Sequence, residues 1–328
     1  MSDDAVILVN LGSPVSFSPD DVGRFLRQFL SDRRVVDAPA WYWKPVLNGI
    51  IIPFRKKRSA KAYQRVWWQE GSPIRVISAR QKEALEKRLQ ALFNNRAPAV
   101  YVAETYGKPS IESCLEKASE THQGRILVFP LYPQYSATTS GAVFDQVAEF
   151  IKKSKHVPSI GFVSDYYQSE KYIDALAESV NKHWQEQGKS EKLLVSFHGI
   201  PVEYVNVGDP YQKHCEKTAE KLVEKLALNN SAWQISYQSR FGPKEWLQPY
   251  TDDILSQWAN EGVSSVTVIS PAFSADCLET LEELAIESKD VFLSNGGQKF
   301  SLVACLNDVP AHIDMMVEII EFNLNLQN

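Results

Sequence analysis

Leu193-Leu194-Val195-Ser196-Phe197-His198-Gly199-Ile200-Pro201 reads as one buried strand that stops on a histidine. Its apolar run leaves no polar face, as expected of a strand covered on both sides in a parallel sheet. The turn that follows, with Gly199 and Pro201, exposes the imidazole past the strand's carboxyl end, the edge where open α/β sheets hold ligands. A second strand runs into Ser270-Pro271-Ala272-Phe273-Ser274-Ala275-Asp276-Cys277-Leu278-Glu279-Thr280-Leu281-Glu282-Glu283 and so ends on a row of carboxylates. Residues past two strand ends can converge, and an imidazole with a carboxylate suits metal or proton chemistry.

Outward from these stretches, short apolar runs alternate with longer segments of helical period, the pattern of βα units. Strands are predicted at 5–10, 99–105, 125–129, 159–163, 192–197, 233–237, 265–269 and 300–305. Helices are predicted at 19–30, with Ser18 to cap it and Pro19 at its first position, and at 78–93, 170–187, 211–226, 277–287 and 311–324. Val6-Ile7-Leu8-Val9-Asn10-Leu11-Gly12-Ser13-Pro14 echoes residues 193–201, and Val128-Phe129-Pro130-Leu131-Tyr132-Pro133 echoes Ile269-Ser270-Pro271-Ala272-Phe273. The expected fold class is therefore α/β, with two Rossmann-like domains of parallel sheet flanked by helices, at 1–165 and 166–308. A ligand cleft is expected between them, and a closing helix, 309–328, is expected to pack back on the first.

One stretch breaks the alternation: Trp41-Tyr42-Trp43-Lys44-Pro45-Val46-Leu47-Asn48-Gly49-Ile50-Ile51-Ile52-Pro53-Phe54, followed by Arg55-Lys56-Lys57-Arg58. Apolar residues beside a basic cluster suit a lip, at about 40–75, over a large flat apolar acid, and equally a membrane-surface patch. An insertion packed on the core with a solvated basic turn is the plainer alternative.

Composition narrows the choices. A chain of 328 residues, 44% hydrophobic, can bury an ordinary core. A net charge of -5 and a pI near 5.8 argue against affinity for the nucleic-acid backbone. Met1-Ser2-Asp3-Asp4 leads straight into a strand without the basic and apolar regions of a secretory signal. No stretch approaches the roughly 18 apolar residues of a membrane span, so a cytoplasmic location is the expectation. The four cysteines, Cys114, Cys215, Cys277 and Cys305, form no CxxC pair, so neither a disulfide framework nor a structural zinc site is indicated.

Glu279, Glu283 and Glu287 recur every four residues and would share one face of an α-helix. None has a Lys or Arg three or four residues away, and each like-charge pair should cost the helix a few tenths of a kcal/mol. Such a stripe, starting near a strand end, suits a path for protons or cations; a solvated face is the alternative. Asp276 with Glu279 also fits a helix cap. His198 with Glu279 would make an open, two-ligand site that suits a borderline divalent ion in transit.

Taken in order, Asn10-Leu11-Gly12-Ser13-Pro14, Phe29-Leu30-Ser31-Asp32-Arg33-Arg34-Val35-Val36-Asp37, Glu70-Gly71-Ser72-Pro73-Ile74, residues 131–136, residues 196–201, Gln238-Ser239-Arg240-Phe241-Gly242 and residues 276–283 resemble the ferrochelatases, most closely those of Gram-negative bacteria. The resemblance runs almost end to end. It implies a chelatase-like pair of domains and insertion of Fe²⁺ into protoporphyrin IX, the last step of haem synthesis. The invariant histidine falls on His198 and the catalytic glutamate on Glu279, the same two residues being the implied metal ligands. Glu283 and Glu287 continue the acidic path. By similarity Arg55, Tyr63 and Ser72 belong to the lip, and Leu11, Tyr132, Tyr135 and Trp246 line the pocket.

The same resemblance implies no tightly bound cofactor, Fe²⁺ being a substrate. Ala137 stands where some relatives have Cys, and the cysteine-bearing tail of cluster-containing members is not seen, so no iron–sulfur cluster is expected. Thr105 stands where many relatives carry Arg or Met, and Cys277 where animal enzymes place a histidine. The expected partners are protoporphyrin IX and Fe²⁺, with no nucleic acid. Peripheral contact with the inner membrane or the preceding haem-pathway enzyme is allowed, as is a monomer or a dimer. The alternatives are a chelatase for another tetrapyrrole such as coproporphyrin III, and a non-catalytic tetrapyrrole carrier.

Overall fold

The computed structural model describes residues 3–326. Two compact units divide the chain: one runs to Asp165 and takes the chain again from Ile313, and the other is Tyr166–His312.

The first unit opens with β1 (Ala5–Asn10), all six residues buried. α1 (Pro19–Leu30) begins as its sequence predicts, with Ser18 Oγ accepting from the Asp21 N–H at 3.2 Å. The stretch read as a lip is helical: α2 (Ala40–Val46), a π-turn at Leu47–Ile51 and α3 (Ile52–Val66). Pro45 lies inside α2, and the wider i→i+5 turn follows it directly. Then come α4 (Pro73–Phe93), β2 (Ala99–Glu104), α5 (Ile111–Thr121), β3 (Arg125–Pro130), α6 (Ser140–Lys153) and β4 (Ser159–Phe162). The four strands are parallel, in the order β2-β1-β3-β4. Ala5, Ile7 and Val9 of β1 pack with Ile111 and Leu115 of α5 and Val143 and Val147 of α6.

The second unit runs α7 (Glu170–Gln187), β5 (Lys192–His198), α8 (Val202–Asn206), α9 (Tyr211–Lys225), β6 (Trp233–Gln238), α10 (Thr251–Asn260) and β7 (Ser265–Ile269). A π-helix (Glu279–Ser288), α11 (Lys289–Ser294) and β8 (Lys299–Leu302) close it. Its parallel sheet has the order β6-β5-β7-β8, the same as the first. Leu194, Val266 and Val268 pack against Leu255 and Trp258 of α10 and against Leu284 and Phe292. α12 (Pro310–Leu324) ends the chain, and Asp314 on it pairs with Arg88 of α4 at 2.7 Å.

The sequence echoes have a structural counterpart. β1 and β5 hold equivalent central places in the two sheets, as do β3 and β7. In each sheet the chain lays its second strand on one side of the first and its third on the other, so the strand order reverses there. The carboxyl end of that reversal is where open α/β sheets bind ligands. Leu11 and Tyr132 follow β1 and β3; His198 ends β5, and Glu279 follows β7.

Candidate functional site

In the second unit His198 closes β5 opposite Gln238, the last residue of β6. Its Nδ1 lies 2.7 Å from the Gly199 carbonyl oxygen. A carbonyl only accepts, so Nδ1 carries the proton, and in the neutral ring Nε2 bears the free lone pair. The imidazole is half-buried, edge-on to Phe273 at 6.3 Å. The turn beyond it is tied down: Gly199 N–H donates to Gln238 O at 2.8 Å, and Leu247 N–H to Ile200 O at 3.0 Å. A methyl at Gly199 would stand 2.9 Å from Gln238 O and 3.2 Å from the Trp246 ring, so glycine admits the indole beside the histidine turn. Trp246 Nε1 donates to Phe241 O at 2.8 Å, which fixes the ring's plane.

Gln238 connects this strand end to the carboxylates. Its Oε1 accepts from Ser196 Oγ at 2.9 Å, and its Nε2 donates to the backbone oxygen of Glu279 at 2.9 Å. The next residue, Ser239, adopts φ +69, a conformation unusual for a non-glycine residue. Its hydroxyl donates to Glu283 Oε2 at 2.5 Å. Two consecutive residues thus hold the π-helix at two points, one on its backbone and one on a side chain. Neither was singled out in the sequence, although both stand in the Gln238-Ser239-Arg240 motif.

The helix itself corrects an expectation. Residues 277–287 were expected to be α-helical, with the glutamates at α spacing; the segment winds as a π-helix over Glu279–Ser288. Single π-turns often accompany functional sites, and here the i→i+5 winding lasts ten residues. Glu279 and Glu283 are half-buried and Glu287 is exposed, so the three carboxylates run from the strand end toward solvent. The helix cap read into Asp276 and Glu279 is also replaced: Leu278 stands at the cap position without a side-chain bond, and Thr280 Oγ1 accepts from the Cys277 N–H at 3.1 Å. Asp276 instead accepts from Asn307 Nδ2 at 2.7 Å and from Thr280 Oγ1 at 3.0 Å.

Electrostatics separate the acids. Burial raises the Glu283 carboxyl to about 7; the Ser239 hydroxyl opposes that, and the charges of Glu279 and Asp252 add to it. Cys277 is buried, and its thiol is held far above its ordinary value by burial and then by the Glu279 carboxylate beside it. It therefore stays a neutral neighbour of Glu279. Among the described residues no group of three or more His, Cys, Asp or Glu is placed to hold a metal ion.

In the first unit Leu11, half-exposed, and Tyr132 stand at the corresponding sheet edge. Leu11 N–H donates to Asn10 Oδ1 at 2.9 Å, while the buried Thr105 lies 3.5 Å, hydroxyl to hydroxyl, from Tyr132. Tyr135 follows, with its hydroxyl 3.2 Å from where a Cβ at Gly141 would sit. The lip residues stand on α3 and at the start of α4. Arg55 is half-buried, and its guanidinium is lowered by burial and by neighbouring Arg58. Tyr63 and Ser72 are buried, Tyr63 edge-on to Trp67 at 6.0 Å. The exposed apolar side chains of this region are Trp41, Tyr42, Ile50 and Phe54.

A family model described as Ferrochelatase matches residues 3–324. Ferrochelatase 1 of Shewanella oneidensis is 49% identical, over 95% of this chain and 93% of that protein. The ferrochelatase of Photobacterium profundum is 48% identical over 96% of both chains. Among solved structures, SirB from Bacillus subtilis with Fe³⁺ matches at a TM-score of 0.58 and 12% identity, covering 99% of this chain and 97% of that one. CbiX, the terminal enzyme for biosynthesis of sirohaem in denitrifying bacteria, matches at 0.51 and 12% identity, covering 98% and 99%. At such identity these structures share the fold, which is that of chelatases.

Proposed function

As the chain belongs to the ferrochelatase family and inserts Fe²⁺ into protoporphyrin IX in haem synthesis, we propose that His198, Glu279 and Glu283 divide that work among them. Metallation exchanges two pyrrole protons for one divalent cation. It needs a proton acceptor, a sink for charge and a macrocycle bent enough to expose its nitrogen lone pairs.

The carrying observation is the tautomer of His198. With Nδ1–H committed to the Gly199 carbonyl, Nε2 is a fixed acceptor at the sheet's ligand-binding edge. His198 takes a pyrrole proton there. Glu279, half-buried at the head of the π-helix, shares in metal delivery or in removing the second proton. Glu283, poised at about 7, passes protons outward toward Glu287. Leu11, Tyr132, Tyr135 and Trp246 are proposed macrocycle contacts, with Leu11 pressing a pyrrole out of plane. No resident cofactor enters this reading, and Fe²⁺ is a substrate.

Purified protein with Zn²⁺ or anaerobic Fe²⁺ and a panel of porphyrins tests it through loss of free-base fluorescence. Protoporphyrin IX is expected to be metallated fastest. Faster metallation of coproporphyrin III would reassign the substrate, and release of intact free-base porphyrin without metallation would favour a carrier.

The α2–α3 segment is proposed to rest on an anionic membrane surface. Trp41 and Phe54 are about four-fifths exposed, and α3 carries Lys57, Arg58, Lys61 and Arg65 on exposed positions with no acidic residue. Each basic side chain near an anionic surface contributes about 1 kcal/mol. Co-sedimentation with vesicles containing phosphatidylglycerol is expected, weakened by salt and by a Trp41→Ser, Phe54→Ser variant. Equal binding to neutral vesicles at any salt would contradict it. No helix here is long and apolar enough to cross a membrane among the described residues.

A further inference from the structure

Arg75 and Glu104 each stand where local rules disfavour them. Arg75 occupies the first turn of α4, a helix with no acidic residue in that turn, where a cation opposes the helix dipole. Glu104 ends β2 and is 5% exposed, and a carboxylate is costly to bury unless fully paired. The two satisfy each other: Arg75 Nε and Nη2 donate to Glu104 Oε1 and Oε2 at 2.5 and 2.8 Å. The guanidinium also donates to Ser13 O at 2.6 Å and Pro14 O at 3.1 Å. Glu104 Oε2 accepts in addition from Lys108 N–H at 3.1 Å.

The pair therefore joins three pieces of chain: the turn after β1, the turn after β2 and the start of α4. Backbone bonds finish the junction, with Tyr106 N–H donating to Leu11 O at 2.9 Å and Thr105 N–H to Asn10 O at 2.8 Å. The turns have been cleared to admit the carboxylate. A Cβ on Gly107 would lie 1.9 Å from Glu104 Oε2, and one on Gly12 would lie 2.1 Å from Tyr106 O and 2.9 Å from Glu104 Oε2. Both glycines also have positive φ, +139 and +95. Gly12, Ser13 and Pro14 are buried in this junction, while the preceding residue, Leu11, keeps its side chain partly exposed at the sheet edge.

We propose that Arg75 and Glu104 are positioning residues for metallation: together they lock the turn of residues 11–14 so that Leu11 meets the macrocycle as a rigid wedge. This rests on the reading of Leu11 as a macrocycle contact. A side chain that bends a bound ring transmits force only if its own backbone does not yield. Lysine cannot replace Arg75, because its point charge lacks the fork that reaches Glu104 and two carbonyls at once.

The test uses the full chain and the variants Arg75→Met, Glu104→Leu and their double. Either single change leaves an unpaired partner and lowers the thermal midpoint, and the double removes that penalty, so stability recovers relative to the weaker single. The contacts to Ser13 O and Pro14 O stay lost. A positioning role therefore predicts that the double variant keeps a porphyrin KM within about threefold of the parent while kcat stays about tenfold to a hundredfold down. Out-of-plane resonance Raman bands of bound protoporphyrin IX weaken with it. A kcat that recovers in step with stability would show a structural role only and overturn the proposal.

Hydrogen exchange at the Thr105 and Tyr106 amides reads the lock without reference to catalysis. It is expected to speed up in every variant, and unchanged exchange would also overturn the proposal. Leu11→Ala separates the two readings, because unchanged Raman bands and kcat in that variant would remove the wedge role from Leu11 while exchange still reports the lock. Should Met and Leu variants fail to fold, Glu104→Gln keeps the shape and carries the same expectations at smaller amplitude.

Discussion

Replacing Glu283 with Gln is expected to stabilise the protein at pH 8 and to slow metal insertion. The carboxyl is raised to about 7, chiefly by burial, from an ordinary value of 4.5. Between those values the folded state holds a proton that the unfolded chain has released, so stability falls as pH rises through the window from about 4.5 to 7. Above it the full cost is present, about 3 kcal/mol from the size of the shift. Gln carries no charge to desolvate, and its oxygen still accepts from Ser239. The thermal midpoint should thus differ little from the parent at pH 5 and rise at pH 8, by about 2–4 °C for each kcal/mol. Insertion should slow near neutrality, because a group titrating there is matched to proton transfer and Gln is not. A gain in midpoint of equal size at both pH values, or an unchanged rate, would remove Glu283 from the path. Stability surrendered at a working acid is a common exchange in enzymes.

His198→Ala is expected to cost the larger factor in rate. A positioned proton acceptor contributes about 10²–10⁴-fold, and kcat should fall by that order. Porphyrin affinity should persist, because the proposed macrocycle contacts Leu11, Tyr132, Tyr135 and Trp246 are untouched. The strand end should also survive, since its turn is held by Gly199 and Leu247 backbone bonds that do not involve the imidazole. Added imidazole, free to enter the vacated space, should restore part of the rate in its neutral form. Steady-state kinetics with Zn²⁺ across pH, with and without imidazole, read all of these together.

Much of the scaffold was legible because its signals are local. α1 starts at Pro19 and α7 at Glu170, each behind a serine whose hydroxyl accepts from the helix. β1 and β5 read as uninterrupted apolar runs because both faces of each are covered. The turn Gly199 to Pro201 announced a strand end, and with it the place of His198.

The unread parts depend on contacts far apart in sequence. Pro45 and Gly49 mask the helical period of residues 40–66, which a π-turn then accommodates. Four-residue spacing of glutamates suggests an α-helix, and nothing local announces π winding. The role of Ser239 requires a positive φ and a partner 44 residues away, and that of Arg75 a partner 29 residues away. Chemistry-bearing residue types marked the candidate site; the groups that hold them appear only in three dimensions.

The central claim is that His198 Nε2 accepts the pyrrole proton, and single-turnover insertion of Zn²⁺ into protoporphyrin IX already bound to His198→Ala bears on it most directly. Stopped-flow emission of the free base and a pH indicator would be followed together. The expected result is bound, emissive porphyrin and no proton release on the time scale on which the parent completes its turnover. Quenching and proton release at the parent's rate would contradict it.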